Sequence, residues 1–168
     1  MSMIGNFRRV SMHRIEALRA DPTDITSVLY PEDEATQVGS DVLLDVDKAW
    51  HGIHFLLNGE AWEGTPPLDF IVGGQAIGDI DVGYGPARGF SADEVAAIAA
   101  ALHPITAETL RARFDPAAMM AADIYPTIWD RKPEDDDTLG YLLGYYEDLK
   151  KFVTATAEAG AGMIVYIN

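Results

Sequence analysis

The sequence predicts an α+β fold, in which several helices pack against a small, mainly antiparallel sheet and a long C-terminal helix leads into a terminal strand. Two observations carry this prediction. Helical spacing of apolar residues, with helix start signals, recurs through most of the chain, whereas strand-like segments are short and lie near its two ends and its middle. The 168 residues fit one domain, 1–168, which is large enough to bury a core of its own.

The first part of the chain predicts a strand and two helices. Residues 3–10 (MIGNFRRV) alternate weakly between apolar and polar side chains, as a strand does. Ser11 is a favourable N-cap for the helix that follows, and Asp21 before Pro22 starts another, because proline fits the first helical position. The stretch 30–40 (YPEDEATQVGS) predicts a loop.

The middle of the chain predicts one helix and one long loop. The helix begins with Asp45 or Asp47 as its N-cap and ends at Asn58, before Gly59. Residues 63–87 are rich in glycine and proline, which predicts a long, structured loop. Two short regular segments are expected within or after it: a helix or strand at 68–72 and a strand at 87–90.

The last third of the chain predicts helices and a final strand. Ser91 and Glu94 form a capping box, in which each side chain bonds a free backbone N–H of the other residue. An acidic loop, 130–137 (DRKPEDDD), precedes the longest helix. The remaining expected elements are helices over 106–114, from Asp115-Pro116 onward and over 137–159, and a strand over 163–168.

The charge balance of the chain excludes some classes of partner. Twelve basic residues against 27 acidic ones give a net charge of −15, which repels nucleic acid and anionic membranes and favours a cationic partner. The N-terminus shows no signal-peptide pattern, and the longest apolar stretch, 95–102, is too short to span a bilayer. With no cysteine in the chain, we expect a soluble, cytoplasmic protein.

The predicted helix over 45–59 (DVDKAWHGIHFLLNG) holds the most ordered set of polar residues in the sequence. On a helical wheel, Asp47, His51, His54 and Asn58 fall within about 60° of arc. Trp50 anchors an apolar sector beside this polar stripe. Three interpretations of the stripe stay open: a metal site, an acid–base site and a packing arrangement.

Each interpretation has its own requirements. Metal binding suits imidazole and carboxylate ligands, but His51 and His54 stand at i and i+3 and lack the HExxH pattern; we predict no metal and no cofactor. Acid–base chemistry would use Asp47 to orient an imidazole, yet no nucleophile motif is visible and catalytic residues stay unknown. In the packing interpretation Asp47 is an N-cap, Trp50 and His54 are buried, and His51 is half-exposed.

The glycine-rich segment after this helix lacks a phosphate-binding pattern. Residues 79–85 begin like a calcium loop, but the sixth position is Tyr84 and the twelfth is Phe90. Arg88 could hold a carboxylate ligand or pair with Asp79 or Asp81. The candidate ligand-binding residues are therefore Asp47, Trp50, His51, His54, Asn58, Tyr84 and Arg88.

Six segments together resemble the YfbM-like bacterial proteins, a family of unknown function. They are MIGNFRRV (3–10), LDVDKAWHGIHFLLNG (44–59), IVGGQAIG (71–78), DVGYGPAR (81–88), RFDPAAM (113–119) and IYPTIWD (124–130). The resemblance covers nearly the whole chain and implies a single-domain α+β bacterial protein. It implies no activity, so no catalytic residue is carried over.

Two functional hypotheses follow, and whether the protein is an enzyme is left open. The first is a binding or interaction module, in one form an antidote-like protein that masks a basic partner through acidic segments such as PEDE (31–34) and PEDDD (133–137). A small molecule is the other ligand considered. The alternative is a hydrolase or lyase for a small substrate, in which the polar stripe opens onto a pocket together with Tyr84 or Arg88.

Overall fold

A five-stranded antiparallel sheet organises the protein, as a computed structural model that describes residues 1–32 and 42–168 shows. The strand order is β2-β1-β5-β4-β3, so the last strand of the chain lies in the middle. This arrangement confirms the predicted α+β class. The predicted loop over 30–40 falls largely outside the described residues. The strands are β1 (Gly5–Val10), β2 (Leu43–Asp45), β3 (Gln75–Asp81), β4 (Pro86–Phe90) and β5 (Gly162–Ile167).

The central strand β5 is buried on both faces of the sheet. It pairs with β1 over six residues and with β4 over three. Met163 and Val165 belong to the larger hydrophobic core, whereas Ile164 and Tyr166 belong to a smaller core on the opposite face. A strand buried on both faces needs a continuous apolar run, and the segment GMIVYI supplies one.

Helices cover both faces of the sheet. The small face carries α1 (Met12–Ala20) and α2 (Ile25–Leu29), which is preceded by a 3₁₀ turn. None of the helices in the described ranges has the length and apolar character needed to cross a membrane. The large face carries α3 (Trp50–Asn58), α4 (Ala92–Leu102), α5 (Ala107–Arg113), α6 (Pro116–Ala121) and α7 (Thr138–Glu158).

The helix start signals of the sequence are confirmed by the hydrogen bonds at the helix ends. Ser11 accepts from the Arg14 N–H at the start of α1. Ser91 and Glu94 form the complete capping box of α4. Gly59 ends α3 with a φ of 75°, in the left-handed region that glycine adopts without strain. Local chemistry therefore fixes where these helices begin and end.

Three local predictions were wrong. Residues 68–72 form turns rather than a helix or strand, and β3 occupies part of the predicted long loop. Ile77 is the only fully buried residue of β3, so this edge strand shows no alternating pattern. Neither Asp45 nor Asp47 caps α3; instead Asp47 begins a 3₁₀ turn with a φ of 50°, and the Asp45 carboxylate accepts from its N–H.

Gly52 allows α3 to pack closely against its neighbours, which leads to a stability prediction. A Cβ at this position would lie 2.7 Å from Leu142 Cδ1 and 2.8 Å from Trp129 Cη2. We expect Gly52→Ala to lower the free energy of unfolding by about 1–2 kcal/mol in urea titration, because this overlap outweighs the helix propensity of alanine. Gly144→Ala is the matched control: its Cβ meets nothing within 4 Å, so we expect a small gain in stability. Equal effects of the two substitutions would contradict this account.

Candidate functional site

His51 lies in the interior of the protein with both ring nitrogens bonded. Its side chain is 1% exposed, against the half-exposed position expected from the sequence. Nε2 lies 2.8 Å from the carbonyl oxygen of Ala61, and Nδ1 accepts from the Tyr125 backbone N–H at 2.9 Å. Because a backbone N–H only donates and a carbonyl only accepts, the hydrogen of His51 sits on Nε2.

His54, one turn further along α3, is arranged in the same way. It is 0% exposed, and its Nε2 lies 3.0 Å from the carbonyl oxygen of Glu63, to which it donates. The side-chain amide of Asn58 donates to the Leu68 carbonyl at 2.9 Å. The same nitrogen lies 3.0 Å from the His54 carbonyl and 3.2 Å from its Nδ1. His51, His54 and Asn58 of the polar stripe thus turn toward the backbone of the segment after α3.

Arg88 forms hydrogen bonds with the C-terminal end of the same segment. Its terminal nitrogen donates to the carbonyls of Ile71 at 2.7 Å and Gly73 at 2.8 Å. Pairing with Asp79 or Asp81 was wrong: within the described residues Arg88 forms no ion pair, and the Asp81 carboxylate instead accepts from two backbone N–H groups of the β3–β4 turn.

We call His51, His54, Asn58 and Arg88 the loop clamp, because together they hold the loop 59–74 between α3 and β3. A loop without regular structure must satisfy its backbone carbonyls individually. Here the carbonyls of residues 61, 63, 68, 71 and 73 each accept from one of these four side chains.

Burial gives the clamp imidazoles the protonation state that these bonds require. Burial lowers the pKa of His54 to about 4, with smaller contributions from the charges of His51 and Arg88 and an opposing one from the Glu63 carbonyl. Burial also lowers the pKa of His51, and the bond to Ala61 opposes this shift. Both rings are therefore neutral near pH 7, with Nδ1 able to accept.

The clamp lacks the open geometry that the acid–base and metal interpretations of the sequence require. A general base needs a pKa near the working pH and reach to a substrate proton, whereas both imidazoles are buried and fully bonded. The same bonds occupy the nitrogens that a metal would need. In the described part of the chain no three His, Asp or Glu side chains group as metal ligands.

Asp47 and Trp50 have structural partners of their own. The Asp47 carboxylate accepts from the Tyr141 hydroxyl at 2.9 Å, and that hydroxyl accepts from the Lys48 N–H at 3.0 Å. Asp47 therefore does not orient His51. Trp50 is buried as expected; its indole donates to the Met3 carbonyl and stacks on the His51 ring at 4.8 Å.

The hydroxyl of Tyr141 provides a further stability prediction. Tyr141→Phe removes one donor to a carboxylate and one acceptor for a backbone N–H, so we expect a loss of about 1 kcal/mol in urea-induced unfolding. Tyr145→Phe is the control, because its hydroxyl makes no hydrogen bond within the described residues. A loss no larger for Tyr141→Phe than for the control would show that Asp47 does not depend on this bond.

Tyr84 is not brought to the other candidates. It is 44% exposed in the β3–β4 turn, and its N–H donates to the Ile167 carbonyl at the end of β5. No hydrogen bond or ring contact of the described residues joins its side chain to the loop clamp. The sequence grouping of Tyr84 with the imidazoles is thus not reproduced in space.

Trp62 is a surface residue that the sequence analysis missed. Its side chain is 62% exposed, and its ring lies 4.4 Å from that of His51. A tryptophan in a polar segment between two glutamates (EAWE, 60–63) was the available signal, because a loop tryptophan has no helical or strand pattern to explain it.

One cavity of the described residues shares no lining residue with the loop clamp. It has a volume of about 750 Å³ and lies between the end of α5, α6, the start of α7 and the loop 130–137. We call it the acidic cleft. Its lining includes the apolar side chains of Phe114, Pro116, Met120 and Leu139. It also includes three carboxylates and two guanidinium groups, those of Asp130, Asp136, Asp137, Arg111 and Arg131. Arg111 pairs with Glu108 and Arg131 with Asp136.

Comparison with known proteins identifies relatives of unknown function. The model of a domain of unknown function, DUF1877, matches residues 1–166. The crystal structure of YfbM from Escherichia coli, a protein of unknown function, is similar over 98% of this chain and 99% of that chain, with a TM-score of 0.70 and 23% identity. At this identity the likeness concerns the fold alone. No curated protein matches the chain.

Proposed function

Because the chain belongs to the DUF1877 family, whose description gives no activity, we propose from its own residues that it is an interaction module that binds a basic protein partner. The observation that carries the proposal is the acidic cleft. It combines apolar walls with three carboxylates, against two arginines that are each held in an ion pair; this suits a segment bearing both apolar and cationic side chains. An antidote-like protein that masks a basic toxin or enzyme is one form of this function.

The charges around the acidic cleft are only partly compensated. Residues 130–137 hold five acidic and two basic side chains. Asp136 pairs with Arg131 at 2.7 Å, and Asp137 accepts from a backbone N–H as the N-cap of α7. The other three acidic residues of this loop are exposed and form no ion pair in the described ranges; they are Asp130, Glu134 and Asp135.

The apolar floor of the cleft supports binding beyond charge alone. Phe114, Met120 and Leu139 are each partly buried and partly open to the cleft. Apolar contact in the centre with charge at the rim is the usual anatomy of a protein interface. Charges at the rim accelerate association and select the partner, while the apolar centre contributes most of the affinity.

The hydrolase or lyase alternative has lost its geometric basis. It required the imidazoles to open onto a pocket with Tyr84 or Arg88. Instead His51 and His54 are enclosed and bonded, Tyr84 is separate, and Arg88 is bonded to loop carbonyls. We therefore propose the interaction function alone.

The test compares two variants with the same net charge. The cleft variant carries Asp130→Asn in the lining of the cleft, with Glu134→Gln and Asp135→Asn beside it in the loop 130–137. The control carries Glu16→Gln, Asp79→Asn and Glu158→Gln, three exposed carboxylates outside the cleft and this loop. Immobilised wild type is expected to capture a basic protein from the source lysate at low salt and release it at high salt. The purified partner should bind the control normally and the cleft variant about tenfold more weakly. Equal binding to both variants, or no capture by wild type, would overturn the proposal.

A further inference from the structure

Trp62 differs from the other two tryptophans in its exposure. Trp50 and Trp129 are each 1% exposed, whereas Trp62 is 62% exposed. Both buried indoles donate to backbone carbonyls, those of Met3 and Ile124. Trp62 thus presents a large apolar ring to solvent, an arrangement that is typical of recognition residues at protein interfaces.

Hydrogen bonds from the clamp imidazoles hold the backbone on both sides of Trp62. The two clamp imidazoles donate to the carbonyls of Ala61 and Glu63, the residues immediately before and after it. The His51 ring also lies under the indole at 4.4 Å with an angle of 40° between the planes, and Trp50 stacks behind His51. The indole is therefore held in place before any ligand arrives, which reduces the entropy lost on binding.

The charge around this ring is negative. Glu60 and Glu63 flank Trp62 in the chain and are exposed, and neither forms an ion pair within residues 1–32 and 42–168. Arg88, the cationic residue of the clamp, donates its hydrogen bonds to loop carbonyls. An electron-rich indole face beside uncompensated carboxylates attracts a cation.

We propose that Trp62, Glu60 and Glu63 form a recognition site for an arginine side chain of a partner protein. The guanidinium plane stacks on the exposed face of the indole, and its N–H groups reach the carboxylates. Arginine fits better than lysine, because a planar, weakly hydrated guanidinium both stacks on aromatic rings and donates to carboxylates in pairs. None of these three residues lines the acidic cleft.

The experiment uses a defined probe and one reporter at each site. An acetylated, amidated peptide of alternating glycine and arginine is titrated into the ¹⁵N-labelled protein, and the same peptide with neutral citrulline is the control. The indole N–H of Trp62, identified from the Trp62→Phe variant, reports on the proposed site. The indole of Trp129, which lines the acidic cleft, reports on the other surface, so failure of one proposal is distinguishable from failure of the other.

We expect the arginine peptide to shift the Trp62 indole resonance saturably and the citrulline peptide to leave it in place. Glu60→Gln with Glu63→Gln should weaken this binding by roughly threefold to tenfold, whereas Glu16→Gln with Asp79→Asn, at the same net charge, should not. Equal shifts by both peptides would overturn the proposal. So would an unchanged affinity of the Glu60/Glu63 variant, or a shift with protein concentration alone, which would mean that Trp62 contacts a second copy of the chain.

The clamp residue His51 positions the Trp62 indole, and a second variant tests this role. His51→Gln retains a donor for the loop but removes the ring beneath Trp62. We expect it to weaken peptide binding and to speed hydrogen exchange of the Trp62 indole N–H, while circular dichroism confirms that the variant is folded. If His51→Gln instead bound the peptide as wild type does, the preorganisation of Trp62 by the clamp would be refuted.

Discussion

Replacement of His54 by leucine is expected to lower the free energy of unfolding by about 3 kcal/mol. Leucine fills most of the volume of the imidazole, so little cavity forms. It cannot donate, however, and the Glu63 carbonyl then lacks the hydrogen bond that Nε2 supplies at 3.0 Å. The Asn58 amide also loses its contact with Nδ1. Urea unfolding followed by circular dichroism measures the loss.

His54→Gln is the control for this substitution. The glutamine amide is neutral and can donate toward Glu63, so we expect it to lose less than half as much stability as leucine does. Amide exchange should accelerate in the loop 59–74 of the leucine variant before it does so elsewhere. Stability of the leucine variant equal to that of wild type would mean that the imidazole fills space and does not hold the loop.

Acidification from pH 7 to pH 4 is expected to remove about 3 kcal/mol of stability through His54 alone. Its pKa is about 4 in the folded protein, against the ordinary value of 6.5. Between these values the unfolded chain binds a proton that the folded protein does not. The contribution is therefore complete above pH 6.5 and is lost as the pH falls toward 4. His51, whose pKa is also lowered, acts in the same direction.

The many carboxylates of the chain titrate in the same range, so the comparison is made between wild type and His54→Gln. Their titration is common to both proteins and cancels in the difference between the two free energies of unfolding. We expect wild type to lose its advantage over the glutamine variant steadily between pH 6.5 and 4. A difference that stays constant with pH would contradict the assigned protonation state.

The sequence predicted those parts of the fold that depend on local chemistry. Ser11, Ser91 and Asp115 cap helices where expected, because a cap bonds a backbone N–H only two or three residues away. The strands β2 and β3 were missed. They lie at the two edges of the sheet and form through pairing with neighbours distant in the chain, which leaves little trace in their own residue pattern.

The sequence pointed to most of the residues of the loop clamp, but not to the loop carbonyls that they bond. The helical wheel placed His51, His54 and Asn58 on one face, and in the structure all three side chains contact the loop 59–74. It included Asp47 wrongly, because the 3₁₀ turn at Asp47–Ala49 departs from helical spacing. The partners are backbone carbonyls about ten residues further on, and a carbonyl has no signature in a sequence. For the same reason the support beneath Trp62 was invisible.

The tautomers of His51 and His54 at neutral pH show whether these two imidazoles are neutral donors that hold the loop. Long-range ¹⁵N–¹H correlation spectra report which ring nitrogen carries the hydrogen, and the exposed imidazoles of His13 and His103 serve as references in the same spectrum. We expect both buried rings to carry their hydrogen on Nε2 only and His54 to stay neutral at pH 5. Averaging of both tautomers in the buried rings, or a His54 ring that is protonated at pH 5, would contradict this expectation.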